Sequence, residues 1–288
     1  MGYVNESAGS GAENTPCMGH WFLMAYEREL EVAIGLMREA GGLALAHLKR
    51  GVSADAKSDD SPVTVADREC EALYSSGLAA AFPGDGQMGE EGASRPAGSG
   101  RTWIIDPIDG TRDYVRGNRL WSMLLALEEE GEVKLGVAHF PALDETYYAV
   151  RGQGAWRRGP GPETTRLRVS SKTDASEGVI CVNSLQNITR WSFAPGLIEW
   201  LDRFWAVRSL GGAMDSMFVA AGHADAWIEQ SAKPWDLAAV QVITEEAGGV
   251  FFNFDGGRSI HAGNCITCAP GFAEELRALV GGAALVKP

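Results

Sequence analysis

Trp103-Ile-Ile-Asp-Pro-Ile-Asp-Gly-Thr111 is the stretch on which the reading of this 288-residue chain turns. Thr102 to Asp106 has the apolar run of a short buried strand, and it closes on an acid. Pro107 fixes the backbone, and Asp109 comes round on the turn that follows. Two carboxylates at this spacing can share one cation or bridge two. Gly110-Thr111 then offers backbone N–H groups above them, an arrangement suited to a phosphate, and the Thr111 hydroxyl can orient a water. An Asx turn, in which Asp-Gly is common, has the same letters. The stretch alone leaves both readings open.

Outward from it, the pattern is mixed α and β. Leu30, Ala33, Ile34, Met37, Ala40, Ala44 and Leu48 recur at helical spacing and predict a helix over 26–49. A second helix is expected over 67–82, capped by Asp67 and stopped by Pro83-Gly84. Residues 84–100, rich in glycine, read as a mobile loop. Strands are expected over 121–127, 133–140 and 146–150, and Gly152-Gln-Gly154 reads as a turn rather than a dinucleotide fingerprint. Farther on, short strands (179–182, 206–209, 226–228, 250–254) alternate with helices at 212–221 and 234–247. On the last of these, Leu237, Val240, Ile243 and Ala247 share a face, Asp236 stands as an N-cap, and Gly248-Gly249 supplies the stop. Layered α/β packing follows. The expected division is a flexible leader at 1–23, within which Met18 is an alternative start, then halves at 24–155 and 156–288.

Composition narrows the function classes. The chain carries 38 acidic and 25 basic residues, a formal net charge of −13, which disfavours nucleic acid as a partner. An anionic substrate requires bound cations to offset that charge, and clustered carboxylates attract Mg²⁺; an acidic surface also serves solubility alone. Five cysteines (Cys17, Cys70, Cys181, Cys265, Cys268) in odd number and wide spacing argue against a disulfide framework and for a reducing cytoplasm, with Cys265-Ile-Thr-Cys268 in a buried strand. No apolar run is long enough to span a membrane. Serine-hydrolase, P-loop and zinc-protease motifs are absent. The tryptophans at 121, 156, 191, 200 and 205 read as core or dimer interface, and His139 and His223 as structural.

Taken singly, Glu90 reads as a surface residue and Asp236 as a helix cap. In order along the chain, Gly89-Glu90-Glu91, Asp106-Pro-Ile-Asp-Gly-Thr111, Pro234-Trp-Asp236 and Glu245-Glu-Ala-Gly-Gly249 together resemble the inositol monophosphatase family. Lys57 with Thr64-Val-Ala-Asp67, and Ala220-Ala-Gly-His-Ala-Asp-Ala-Trp-Ile-Glu229, match further segments, so the resemblance spans roughly 26–280. It implies an α-β-α-β-α sandwich, a homodimer, and two to three Mg²⁺ ions per site. By the resemblance, Glu90, Asp106 and the Ile108 carbonyl hold a first ion, Asp106, Asp109 and Asp236 a second, and Asp67 with Glu90 a weaker third. Glu90 with Thr111 would orient and deprotonate the attacking water, the Gly110 and Thr111 amides would bind phosphate, and Glu229 would face the alcohol of the substrate. The implied reaction is hydrolysis of a small phosphorylated metabolite by direct attack of water. Lithium inhibition is expected only weakly.

The family's substrates include inositol monophosphate, L-histidinol phosphate, fructose bisphosphate and nucleotide 3′(2′),5′-bisphosphates. The length of Arg208–Ser216, and the stretches Leu120–Leu127 and Tyr147–Gly154, look closest to the histidinol-phosphate branch. Gly212, however, stands where an acid is expected to meet the histidinol amine, unless Asp215 takes that role. Inositol phosphate and histidinol phosphate stay level on sequence. A homologue that binds metal and regulates without catalysis is the competing class, and the complete ligand set argues against it.

Overall fold

The computed structural model describes residues 25–56 and 62–286; the expected leader and Lys57 lie outside them. Helix α1 (Glu27–Arg50) is followed by a two-strand ribbon, β1 (Ala54–Ala56) and β2 (Pro62–Thr64), and then by α2 (Val65–Ala81). The start of α2 differs from expectation. Thr64, not Asp67, is its N-cap, with the Thr64 hydroxyl accepting from the Ala66 and Asp67 amides at 3.1 and 3.4 Å. Asp67 sits one turn in and answers with its own carboxylate, which accepts from the Thr64 amide at 2.8 Å. This reciprocal capping box anchors an acid at the helix entrance.

Residues 84–100 are not a loose loop. They form β3 (Gly86–Gly89) and β4 (Ser94–Arg95), a tight antiparallel pair, and β3 runs parallel to β5 (Arg101–Asp109). Glycine here permits close strand approach, which composition does not distinguish from mobility. After the single-turn α3 (Thr111–Val115), the strands β6 (Ser122–Glu129), β7 (Glu132–Phe140), β8 (Glu145–Val150), β9 (Ala155–Arg158) and β10 (Thr164–Arg166) complete an eight-stranded sheet, ordered β10-β9-β8-β7-β6-β5-β3-β4. The sheet therefore runs on past residue 155, and the changeover to a second sheet lies between Arg166 and Val179.

That second sheet has five strands, ordered β12-β11-β13-β15-β14. They are β11 (Val179–Val182), β12 (Ala206–Arg208), β13 (Ala226–Glu229), β14 (Val250–Phe252) and β15 (Cys265–Cys268), with helices α4 (Ala194–Leu201), α5 (Gly212–Ala220), α6 (Pro234–Glu246) and α7 (Ala273–Val280) between and after them. Both cysteines of β15 are buried free thiols, as a strand reading requires.

Three apolar clusters define the layers. One joins α1 and α2, through Met37, Tyr74 and Leu78, to one face of the first sheet at Trp103, Ile105 and Leu125. A second fills the space between the sheets, where Ile104, Leu124 and Ala138 meet Met217 of α5 and Val240 and Ile243 of α6. The third packs Leu197 of α4 and Leu276 of α7 on the far face of the second sheet. The order is α-β-α-β-α, the layered α/β sandwich expected. Alternation along β5 does the sorting: Trp103 and Ile105 face the first helical layer and Ile104 faces the middle one.

Lying between two sheets, α6 has no solvent face over most of its length. Leu237 through Thr244 are all buried, so the single apolar stripe expected on it is instead an almost complete sleeve. Val242→Ala, off that stripe, is accordingly expected to lower the unfolding free energy by about 2 kcal/mol, against almost nothing for an outward-facing valine. Urea denaturation of the two proteins measures the difference.

Candidate active site

Two acids three positions apart on a regular strand point to opposite faces. Asp106 and Asp109 escape that rule because β5 carries a bulge between them: Asp106 pairs with Leu124 and Asp109 with Ser122, so Pro107 and Ile108 together oppose Met123. The extra residue returns Asp109 to the face of Asp106. Ile108 goes to the other side and is buried against the first helical layer. Carboxylate oxygens of Asp106, Asp109 and Asp236 all lie within 4.8 Å of one another. Two of these acids come from the first sheet and one from the start of α6.

The remaining acids arrive by equally local means. Because β3 runs parallel beside β5, with Gly89 opposite Ile105, Glu90 emerges next to Asp106, and its amide donates to the Ile105 carbonyl at 3.2 Å. Asp67, fully buried, spends one oxygen on the cap of α2 and turns the other toward the Thr111 hydroxyl, 3.5 Å away. That hydroxyl also reaches the Ile108 carbonyl at 3.1 Å. Asp236 repeats the geometry of Asp67: it is not the N-cap of α6 but lies three residues past Lys233, whose amide donates to Asp236 Oδ2 at 2.7 Å. Gly110, at φ 81°, turns the chain from β5 into α3. The first-turn amides of a helix have no partner within the helix, and here that turn adjoins the acids.

Glu90, Asp106, Asp109, Gly110, Thr111 and Asp236 line a cleft of about 520 Å³ together with Asn183, Ser184, Gln186, Ser209 and Glu229, while Asp67 is buried behind Thr111 and does not line it. Glu229, 3% exposed at the end of β13, accepts from Asn183 Nδ2 at 2.5 Å and from the Ser231 amide at 2.9 Å. Asp215 does not take the role left open for it. It is fully buried and accepts from the Leu210 and Gly211 amides at 2.9 and 3.2 Å, holding the entrance of α5 from below. Gly212 has a different use. Its φ is 49°, and a Cβ there would stand 2.4 Å from Asp109 Oδ2. Only a bare backbone lets the start of α5 come close enough for the Ala213 amide to donate to Asp109 Oδ2 at 2.9 Å. Ser122 Oγ donates to the same oxygen at 2.9 Å. Sequence reasoning missed Asn183, Ser122 and Ala213, which lack any motif of their own. Of the two histidines expected to be structural, His139 is buried and tied to Thr146 at 3.0 Å, and His223 packs edge-on against Phe218.

Electrostatically the acids are out of balance. Burial, and then the charges of Glu90, Asp109 and Asp236, push Asp106 well above the ordinary carboxylate range. Burial first and Asp109 second push Asp236 up to about 8. Burial likewise carries Glu229 to about 7 and Asp67 to about 6, each partly offset by the hydrogen bonds it accepts. Asp106 Oδ1 is buried without a hydrogen-bond partner. Converging oxygen donors, uncompensated charge and an orphaned buried oxygen fit a hard divalent cation.

A sequence model of the inositol monophosphatase family matches residues 25–282. A histidinol-phosphatase of Chlorobaculum parvum is 39% identical over 246 residues, covering 84% of this chain and 92% of that protein. A fructose-1,6-bisphosphatase/inositol-1-monophosphatase of Thermotoga maritima is 38% identical over 230 residues, covering 79% and 85%. Among solved structures, an IMPase of Thermotoga maritima superposes with a TM-score of 0.79 at 35% identity, covering 88% of this chain and 97% of that one. Among the described residues no helix is long and apolar enough to cross a membrane.

A carboxyl whose pKa is raised by folding stabilises the native state only while protonated, and that stability is lost as pH rises through the folded value. With Asp67 at about 6, Glu229 at about 7 and Asp236 at about 8, the metal-free protein is expected to lose thermal stability between about pH 5 and pH 8. If Asp67 and Asp236 hold a divalent cation, protons and the cation compete for their oxygens, so Mg²⁺ should raise the Tm strongly at the upper end of that window and hardly at the lower. Calorimetry in EDTA and in Mg²⁺ across the window checks both slopes.

Proposed function

The chain belongs to the inositol monophosphatase family, and from that premise we propose that it is a Mg²⁺-dependent phosphomonoesterase acting on L-histidinol phosphate. The observation that carries the metal-dependent hydrolysis is the convergence of Asp106, Asp109 and Asp236 around the unpartnered oxygen of Asp106.

In this reading Glu90, Asp106 and the Ile108 carbonyl hold one ion, and Asp106, Asp109 and Asp236 a second. Asp67 with Glu90 holds a weaker third. All are oxygen ligands, the set Mg²⁺ prefers. When bound, the ions supply positive charge to the phosphoryl oxygens and to the leaving alkoxide and acidify the attacking water. The chain's own residues do the rest. Gly110 and Thr111 amides, at the start of α3, hold the phosphate. Thr111 Oγ, already oriented by Asp67 and the Ile108 carbonyl, positions the water, and Glu90 takes its proton. A new P–O bond forms in line as the ester P–O bond breaks, and the alkoxide leaves as the alcohol after taking up a proton. No side chain needs to become phosphorylated.

Two observations support the substrate. The Chlorobaculum parvum relative is named a histidinol-phosphatase, and the alcohol end of the cleft carries Glu229, a carboxylate able to pair with an ammonium. Inositol monophosphate is the second reading. It is favoured by the inward turn of Asp215, which takes one acid away from the cleft, and by the uncharged donors of Asn183, Ser184 and Gln186, which suit hydroxyls. Buried free thiols at Cys70, Cys181, Cys265 and Cys268 support a cytoplasmic setting, and the homodimer usual for the family is part of the same reading.

Phosphate release measured over histidinol phosphate, inositol-1-phosphate, fructose-1,6-bisphosphate and adenosine 3′,5′-bisphosphate, with Mg²⁺ and with EDTA, tests the proposal. Histidinol phosphate should give the highest kcat/KM, and EDTA should abolish every activity; turnover that survives EDTA removes the metal assignment. Asp106→Asn should lower kcat by about two to four powers of ten with circular dichroism unchanged. Glu229→Ala should change the order of substrates more than the best rate, and equal losses on all four esters would take Glu229 away from the alcohol.

A further inference from the structure

Asp67 is not the only acid that α2 sends inward. One helical turn later, Glu71 lies on the same side of the helix and is 5% exposed. It does not line the cleft. Its two oxygens divide between two backbone amides of the turn joining β3 to β4: Oε2 accepts from the Glu91 amide at 2.8 Å and Oε1 from the Ala93 amide at 2.7 Å. The turn is closed on itself by the Gly89 amide, which donates to the Ala93 carbonyl at 2.7 Å. Glu90 sits inside this loop, with its own amide pinned to the Ile105 carbonyl of β5.

The contact is also tight. A Cβ at Gly89 would stand 2.4 Å from Glu71 Oε2 and 2.6 Å from its carboxyl carbon. Residue 89 must therefore be glycine for the carboxylate to reach under the turn. A hydrophobic residue at 71 would leave two half-buried amides without their carboxylate partner, to be met only by water entering under the loop. The carboxylate remains in this buried place because both its oxygens are used.

Resting on the assignment of Glu90 to the cation and the water, we infer that Glu71 is a positioning residue for Glu90, and that α2 thereby sets the spacing between Asp67 and Glu90 as a rigid unit. Asp67 reaches the site through the Thr111 hydroxyl, and Glu71 holds the floor of the loop that brings the opposing acid. Neither acid of the weaker third site is then free to move relative to the other. Glu71 touches neither substrate nor cation.

Glu71→Gln preserves volume but replaces one acceptor oxygen with a donor aimed at an amide N–H. Three measurements on the whole chain read its effect. Hydrogen exchange at the 89–95 segment should rise at least about tenfold, with the remaining chain unchanged. Mg²⁺ binding by titration calorimetry without substrate should weaken by about 10–100-fold, the range for residues that orient ligands. In turnover the Mg²⁺ requirement should rise in step while KM for substrate changes less than about threefold. Gly89→Ala, which displaces the carboxylate without removing it, should reproduce all three, and Glu69→Gln, on the exposed side of α2, should reproduce none. Mg²⁺ binding by Glu71→Gln equal to that of the wild type overturns the inference, as does a uniform rise of exchange along the chain, which marks a merely structural residue. Because calorimetry reads the cation directly, these outcomes differ from failure of the phosphatase reading, in which the wild type binds Mg²⁺ and releases phosphate from none of the esters.

Discussion

Carboxylates forced together out of water repel one another, and the two ends of this molecule are tied so that they stay together. Burial and three neighbouring acids are the dominant influences on Asp106. The opposing restraints are all short-range: the bulge in β5, the amides that hold Asp67 and Asp236 at the entrances of their helices, and the Ala213 amide on Asp109. The layered core makes those restraints stiff. The unfavourable charge has a use only if something positive completes it, which is why a stable fold can carry a costly feature at one end.

The middle layer connects the two halves of the site. Helices α5 and α6 touch both sheets, and each begins beside the acids, α5 with the Ala213 amide and α6 with Asp236. Asp106 and Asp109 come from one sheet, and Glu229 from the other. A shift of one sheet over the other would therefore change the distance between the Asp106/Asp109 pair and Glu229. The buried sleeve of α6 resists such a shift.

Much of this was legible in the letters. Helical spacing located α1 and α6, cap and stop residues located α2, and the fold brings Glu90, Asp106, Asp109 and Asp236, far apart in the letters, to one cleft. What escaped had physical reasons. Parity on a strand argues against Asp106 and Asp109 sharing a face, and only Pro107 hinted at the bulge that reconciles them. Glycine content suggested mobility for 84–100, because the letters do not distinguish a loose glycine from one that lets strands close up. The cap positions were read one turn late, since Asp67 and Asp236 are themselves good caps and the residues ahead of them, Thr64 and Lys233, are unequal in that respect. Helices α4 and α7 are eight residues each, too short for periodicity to stand out. Asn183 and Glu71 matter through partners distant in sequence, and nothing local marks them.

The bulge in β5 has a further consequence for how this segment can vary over evolutionary time. Substitution within residues 106–109 alters chemistry at one position, but loss or gain of a single residue there would swap which side of the sheet Asp109 occupies and so erase the site in one event. Segment length here is inherited information in its own right. The loop beyond β11 that carries Asn183, Ser184 and Gln186 has no such parity to protect, so lengths and side chains can drift on that wall of the cleft without moving Asp109.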